Sequence, residues 1–113
     1  MDEFKLEMTN DILVVKVDIL IATHRDAKPL WDEFENHLLF NREKIIIDLS
    51  YCNNVDSTFV GMIVKIFRKV KEKNGKMKLV FPQETNADVL QLTGIHKIIE
   101  CFTSLDEAIK SFS

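Results

Sequence analysis

The sequence predicts an α/β fold in which helices pack on a mixed, mostly parallel sheet. One observation is the continuous apolar run at residues 45–49, which is typical of a strand buried on both faces of a parallel sheet. Another is the alternation of strand-like runs with helical stripes, which gives the order β-β-α-β-α-β-α-β-α. A third is ordinary globular composition, 46% hydrophobic and 29% charged, without linkers or repeats in 113 residues. We therefore expect a single domain spanning residues 1–113.

The first elements form a predicted β-hairpin. Phe4, Leu6 and Met8 alternate with charged residues, as in a half-buried strand. Turn-forming residues at 9–11 separate this strand from a second one at 12–17.

A helix is predicted next. Pro29 suits its first turn, where the missing N–H group costs nothing. Its apolar stripe consists of Leu30, Trp31, Phe34 and Leu38.

The central helix is predicted from about Ser57 to Lys73, and Gly75 is expected to supply its left-handed cap. One apolar stripe consists of Val60, Ile63, Val64, Phe67 and Val70. An apolar shoulder lies about a quarter-turn away and consists of Phe59, Met62 and Ile66. The shoulder indicates either packing against a neighbouring helix or an exposed patch for a partner.

In the C-terminal third, the sequence predicts alternating strands and helices. They are a strand at 77–81, a helix at 85–92 closed by Gly94, a strand at 98–102, and a last helix opened by a capping box of Ser104 and Glu107.

Composition excludes several function classes. The formal net charge of −3 argues against a nucleic-acid binder. No apolar run approaches the roughly 20 residues that span a bilayer, and the acidic N-terminus does not resemble a secretory signal. We therefore expect a cytoplasmic protein that does not bind membranes. Cys52, Cys101 and the scattered histidines lack metal-ligand spacing, so buried free thiols and no metal site are expected.

Positive charge is concentrated in one part of the chain. Residues 1–43 carry ten acids and five bases, whereas residues 44–113 carry eight acids and ten bases. Most of the cations form one run, opposed only by Glu72: Lys65, Arg68, Lys69, Lys71, Lys73, Lys76 and Lys78. This run indicates either a solvated helix face or a surface that attracts an acidic partner or a phosphate.

Enzyme motifs are not found in the sequence. No GxSxG elbow surrounds a serine, and no glycine-rich phosphate loop follows the apolar strand at 45–49. Asp48 and Asp56 invite comparison with the phospho-accepting aspartate of a receiver domain. Such a site needs further acids at the end of an earlier strand to hold Mg²⁺, and the sequence has only Asp18 there. We expect no catalytic residue and no cofactor, with Asp48 bonding loop amides.

The most informative segment is N-V-D-S-T-F-V-G at residues 54–61, where a loop leads into the central helix. Ser57 and Asp56 are good helix-capping residues. Capping the helix could therefore be the whole role of Ser57. The same helix N-terminus could equally hold a phosphate on Ser57, which would add about −2 of charge beside Asp56.

These residues resemble a known family. I-I-I-D-L-S at 45–50 followed by V-D-S-T-F-V-G at 55–61 is similar to the STAS domains of bacterial anti-sigma factor antagonists. Similar segments recur at 74–76, 92–95 and 104–108, so the likeness covers roughly residues 4–112. Phe59 departs from the pattern, because family members often have glycine there.

The resemblance implies a partner-switching protein. The unphosphorylated form would bind an anti-sigma factor that is also a serine kinase. Phosphorylation of Ser57 would release it, and a PP2C-type phosphatase would restore the active form. Thr58 would be a weaker phosphate acceptor, and a monomer or weak dimer is expected. The expected partner-binding residues are Asn53, Asn54, Asp56, Thr58, Phe59, Gly61 and Met62.

Two other functions fit the sequence. The same fold could be a non-phosphorylated scaffold subunit of a sensory or transporter assembly, with Ser57 merely a cap. Alternatively, the chain could be a small enzyme or nucleotide-binding domain whose site is not visible in the sequence.

Overall fold

The computed structural model describes residues 3–81 and 93–113. Within them the strands are β1 (Phe4–Thr9), β2 (Ile12–Val17), β3 (Ile21–Ala22), β4 (Lys44–Asp48), β5 (Asn54–Val55), β6 (Lys76–Val80) and β7 (Cys101–Phe102). The helices are α1 (His24–Asn36), α2 (Ser57–Glu72) and α3 (Leu105–Lys110), with short 3₁₀ turns at Leu39–Asn41 and Ile95–Lys97.

The main sheet has the spatial order β1-β2-β4-β6-β7. Strand β1 runs antiparallel to β2, and each of the other neighbouring pairs is parallel. The register aligns Leu13 with Ile45 and Ile45 with Met77, so apolar residues of three central strands face the same side. The predicted mixed, mostly parallel sheet is therefore confirmed.

The sheet separates two apolar clusters. On one face, α1 and α2 cover the larger cluster, which contains the inward side chains of β2, β4 and β6. On the other face, α3 covers a smaller cluster that includes Val14, Ile46 and Val80. Because both faces are covered at the centre of β4, residues 45–47 are completely buried, as their continuous apolar run indicated.

Helix α1 begins earlier than the sequence indicated. Thr23 is the N-cap and forms a capping box with Asp26, whose Oδ2 accepts the Thr23 N–H at 2.9 Å. Pro29 therefore lies inside the helix and not in its first turn. Leu38, expected in the apolar stripe, lies beyond the helix with φ 55° and is 68% exposed, whereas Leu30 and Phe34 are fully buried.

Helix α2 confirms the predicted central helix. Val60, Ile63 and Val70 are buried against the sheet. The apolar shoulder is covered by packing against α1, so Phe59 and Ile66 have no exposed surface. The alternative of an exposed apolar patch along this shoulder is wrong.

In the turn after α2, the left-handed residue is not the one that was predicted. Asn74 takes the left-handed conformation, with φ 66°, and Gly75 does not. A Cβ on Gly75 would lie 2.8 Å from Val70 Cγ1 and 2.9 Å from the Arg42 carbonyl oxygen. Glycine is needed here because the backbone is crowded, not because of its φ angle.

The C-terminal elements agree only in part with the prediction. The helix predicted at 85–92 lies outside the described residues. The strand predicted at 98–102 is limited to Cys101–Phe102, because the chain first makes a 3₁₀ turn. Gly94 is left-handed, with φ 64°. Ser104 caps α3 by accepting the Glu107 N–H at 3.1 Å, as expected.

Candidate functional site

The candidate site lies where two loops meet at the carboxyl ends of β2 and β4. The carbonyl of Leu20 accepts the backbone N–H groups of Asn53 and Asn54, at 2.7 and 3.3 Å. Strands β3 and β5 then pair in parallel, Ile21 with Asn54 and Ala22 with Val55. The sequence did not predict this two-stranded clip. It fixes the segment that leads into α2 relative to the start of α1.

Asp56 joins the N-termini of both long helices. Its Oδ1 accepts the Phe59 N–H at 2.8 Å, which makes it the N-cap of α2. Its Oδ2 accepts the N–H of His24, the first residue of α1, at 2.9 Å. Its own N–H donates to the Ala22 carbonyl at 2.9 Å. A single carboxylate thus satisfies amides of two helices and is held by the clip.

Ser57 is the first residue of α2 and is exposed. Because Asp56 is the cap, Ser57 is not one, and the possibility that it serves only as a cap is wrong. Within residues 3–81 and 93–113, its hydroxyl makes no hydrogen bond, while the helix held by Asp56 fixes its backbone. The hydroxyl is therefore presented to solvent at a helix N-terminus, where added negative charge is stabilised.

The other expected contact residues divide by exposure. Asn53, Asn54, Thr58 and Gly61 are exposed, and Met62 is half-buried. Phe59 has no exposed surface, because its side chain belongs to the core cluster shared by the sheet, α1 and α2. The expectation that Phe59 contacts a partner is therefore wrong, and its role is in the core.

Gly61 has no structural reason to be glycine within the described chain. It lies in the second turn of α2 without a positive φ, and a Cβ at this position would meet no atom within 4 Å. Glycine in a helix interior costs about 1 kcal/mol relative to alanine. Because the helix gains nothing from it, the bare backbone is available for close approach by another molecule.

An exposed apolar group beside these residues was missed by the sequence analysis. Leu20, Ile21 and Tyr51 are 61%, 55% and 54% exposed, and all three belong to the two loops joined by the clip. We call them the loop patch. The sequence around these residues does not distinguish them from core residues, because their exposure depends on how the β3–β5 pairing joins the two loops.

Beneath the loops, Asp48 and Cys52 have structural roles. Asp48 is buried and its Oδ1 accepts the Ser50 N–H at 2.9 Å, as expected for a strand-end acid. Burial, with a smaller effect of nearby carboxylates, raises the pKa of the Cys52 thiol to about 12. Both cysteines are free; Cys52 is buried and Cys101 half-buried. The described part of the chain contains neither a metal-ligand cluster nor a membrane-spanning helix.

The bridging role of Asp56 predicts a loss of stability on substitution. Asp56→Ala removes acceptors from two helix N-termini, so we expect the free energy of unfolding to fall by about 2 kcal/mol. Asp56→Asn keeps one carbonyl oxygen and should lose about half as much. Urea denaturation of both variants measures this. Equal stabilities for Asp56→Ala and the wild type would contradict the bridging role.

Comparison with known proteins gives a consistent set of relatives. Residues 3–108 match the family model described as the STAS domain. A Thermotoga maritima protein, provisionally named as an anti-sigma factor antagonist, is 32% identical over 110 residues, covering 95% of each chain. The crystal structure of a Thermotoga maritima protein with that provisional name superposes with a TM-score of 0.81 at 25% identity, covering 96% of this chain and 92% of the other.

More distant structures show the same fold. The anti-sigma factor antagonist SpoIIAA in its unphosphorylated form has a TM-score of 0.73 at 22% identity, covering 96% of this chain and 95% of that one. Bacillus SpoIIAA in its phosphorylated form has a TM-score of 0.67 at 22% identity, covering 97% and 99%.

Proposed function

This chain belongs to the STAS domain family, and we propose that it is an anti-sigma factor antagonist whose docking is switched by phosphorylation of Ser57. The unphosphorylated protein binds an anti-sigma factor that is also a serine kinase and so frees a sigma factor. The kinase transfers the γ-phosphoryl group of ATP to the Ser57 oxygen, the hydroxyl proton is lost, and ADP leaves. The phosphorylated protein then dissociates, and a PP2C-type phosphatase hydrolyses the phosphate.

The observation that carries this proposal is the exposed Ser57 hydroxyl, which makes no hydrogen bond to the described residues, next to the capping carboxylate of Asp56. A kinase can reach this oxygen without unfolding any element. Relatives named as anti-sigma factor antagonists, and the solved phosphorylated form of SpoIIAA, support the same role.

Electrostatics explains how one phosphate can switch binding without a change of fold. Phosphorylation adds about −2 of charge at a helix N-terminus, where amides and the helix dipole stabilise it. The Asp56 carboxylate stands beside it and already carries negative charge. A partner surface fitted to a neutral hydroxyl therefore meets a concentrated anionic group, and the complex loses affinity.

We propose a docking surface made of exposed residues around Ser57. Polar contacts come from Asn53, Asn54 and Thr58, with Met62 at the edge and Gly61 as the point of closest approach. Asp56 contributes indirectly, because it fixes the N-termini of α1 and α2 relative to each other. The loop patch of Leu20, Ile21 and Tyr51 supplies apolar contact area, which gives an interface most of its affinity. The protein itself has no catalytic role, needs no cofactor and works in the cytoplasm as a monomer or weak dimer.

A phosphorylation assay tests this function. The wild-type protein is incubated with the purified anti-sigma factor kinase of the same cell and MgATP, and the product is mapped by mass spectrometry. We expect about one phosphate per chain, on Ser57. Ser57→Ala should accept none, and Thr58→Ala, the matched control at the adjacent hydroxyl, should be phosphorylated normally. Full phosphorylation of Ser57→Ala would refute the assignment.

Substituting Gly61 should affect stability and binding in opposite directions. Gly61→Ala should raise the free energy of unfolding by about 0.5–1 kcal/mol, since alanine is the better helix former and the Cβ meets no atom. Affinity for the anti-sigma factor should fall about tenfold, because that Cβ occupies the space of the partner. Glu35→Ala, at an exposed position near the end of α1, is the control. Unchanged affinity of Gly61→Ala would exclude close approach there.

A further inference from the structure

Helix α2 carries positive charge that the rest of the described chain does not neutralise. Residues 57–73 contain five cations and one acid, Glu72, in a chain of net charge −3. Each ion pair within residues 3–81 and 93–113 is made by another element, such as Lys28 with Asp32 of α1 or Lys44 of β4 with Asp11. This helix is the part of the described surface where cations gather without carboxylate partners.

Two of these cations lie on the same helix face as the switch residue. At 100° per residue, Ser57, Gly61, Lys65 and Arg68 fall within a sector of about 80°. All four are exposed. The rise per residue places Lys65 about 12 Å and Arg68 about 16 Å from Ser57 along the axis. A protein lying along α2 over Ser57 would therefore also cover both cations.

Two of the remaining α2 cations, Lys69 and Lys73, have contacts within the chain. Lys69 is half-buried with its Nζ 4.4 Å from the centre of the Phe40 ring, and Lys73 donates to Asn41 Oδ1 at 3.1 Å. Lys65 touches only the face of Trp31, at 4.8 Å, and Arg68 has no partner among the described residues. Within the 80° sector, Lys65 and Arg68 are thus the cations available to a ligand, and the exposed Lys71 lies about 40° outside that sector.

We propose that this face of α2 docks an acidic surface of the anti-sigma factor, with carboxylates of the partner on Lys65 and Arg68 and its backbone close to Gly61. The inference rests on the proposed function and adds the chemistry of the partner. Charge complementarity favours an acidic protein surface, since the face offers a bare helix backbone and two exposed cations that have no carboxylate partner among the described residues.

The arrangement explains how a single phosphate is sufficient. The face offers two cations when Ser57 is free, and phosphorylation adds about −2 of charge to the same face. The phosphate therefore cancels the charge that attracts the acidic partner, and it also occupies the docking surface. The same helix face therefore attracts the partner when Ser57 is unmodified and releases it when Ser57 is phosphorylated.

Association kinetics test the inference. The association rate constant for the purified anti-sigma factor kinase is measured by surface plasmon resonance at about 0.05 and 0.5 M salt, where screening differs strongly. The test variant is Lys65→Glu/Arg68→Glu. The control is Lys97→Glu/Lys110→Glu, which has the same change of net charge at exposed sites outside α2.

We expect the test variant to associate at least about tenfold more slowly than the wild type at low salt and to differ much less at high salt. The control should stay within about twofold of the wild type. Equal rates for the test variant and the control would overturn the acidic contact but leave the proposed function intact. Failure of the unphosphorylated wild type to bind the kinase would overturn both.

Discussion

Phe59→Ala is expected to lower the free energy of unfolding by about 4 kcal/mol, the typical cost of emptying a large aromatic site in a core. The Phe59 side chain has no exposed surface and lies among the buried residues shared by the sheet, α1 and α2. Its loss leaves a cavity that the flanking elements can fill only in part. Urea denaturation monitored by circular dichroism measures the change.

Met62→Ala is the matched control, because Met62 lies on the same shoulder of α2 but is half-buried. The free energy of unfolding of Met62→Ala should fall by only about 1 kcal/mol, and the larger effect of this substitution should be on the free energy of partner binding. If Phe59→Ala were as stable as the wild type but defective in binding, Phe59 would be a contact residue and the structural assignment would be wrong.

Ser57→Asp should weaken binding to the anti-sigma factor kinase at least about a hundredfold, because a fixed negative charge replaces the neutral hydroxyl at the centre of the docking surface. The fold should not be weakened, since an acid in the first turn of a helix interacts favourably with its dipole. Isothermal titration calorimetry gives the affinity, and urea denaturation checks the fold.

Ser57→Asn isolates the effect of charge. Asparagine has nearly the size of aspartate without its charge, so its affinity should fall much less than that of Ser57→Asp. Ser57→Ala should bind constitutively, whether or not ATP is present. Equal losses for Asp and Asn would mean that size, and not charge, controls docking at this position.

The elements that the sequence predicted best are those with strong local patterns. The apolar run at 45–49 and the helical period after Ser57 each depend on many residues, so β4 and α2 were located within about two residues. The exposure of Ser57 at a helix start also follows from local chemistry, since Asp56 is the better-placed acceptor for the first-turn amides.

Other features depended on residues far away in sequence. The two-residue strands β3 and β5 are too short to give a periodic signal and exist because Ile21 pairs with Asn54. The burial of Phe59 likewise depends on the position of α1. The start of α1 could have been found, because Thr23 and Asp26 have capping-box spacing; Pro29 gave the competing signal.

The candidate site was therefore predicted only in part. The proposed switch residue and the proposed polar contacts lie in one continuous segment that the resemblance identified. The loop patch was not predicted, because the exposure of Leu20 and Ile21 is a property of two loops brought together by hydrogen bonds to the Leu20 carbonyl. The bridge from Asp56 to His24 spans 32 residues and has no signature in either segment.

The most direct measurement compares two forms of the wild-type chain with one partner. Protein phosphorylated on Ser57 by the kinase is separated from the unmodified form, and each is titrated into the anti-sigma factor by calorimetry. The dissociation constant should be at least about a hundredfold higher for the phosphorylated form and should return to its original value after PP2C-type phosphatase treatment. The same dissociation constant for both forms would contradict control of docking by charge at Ser57.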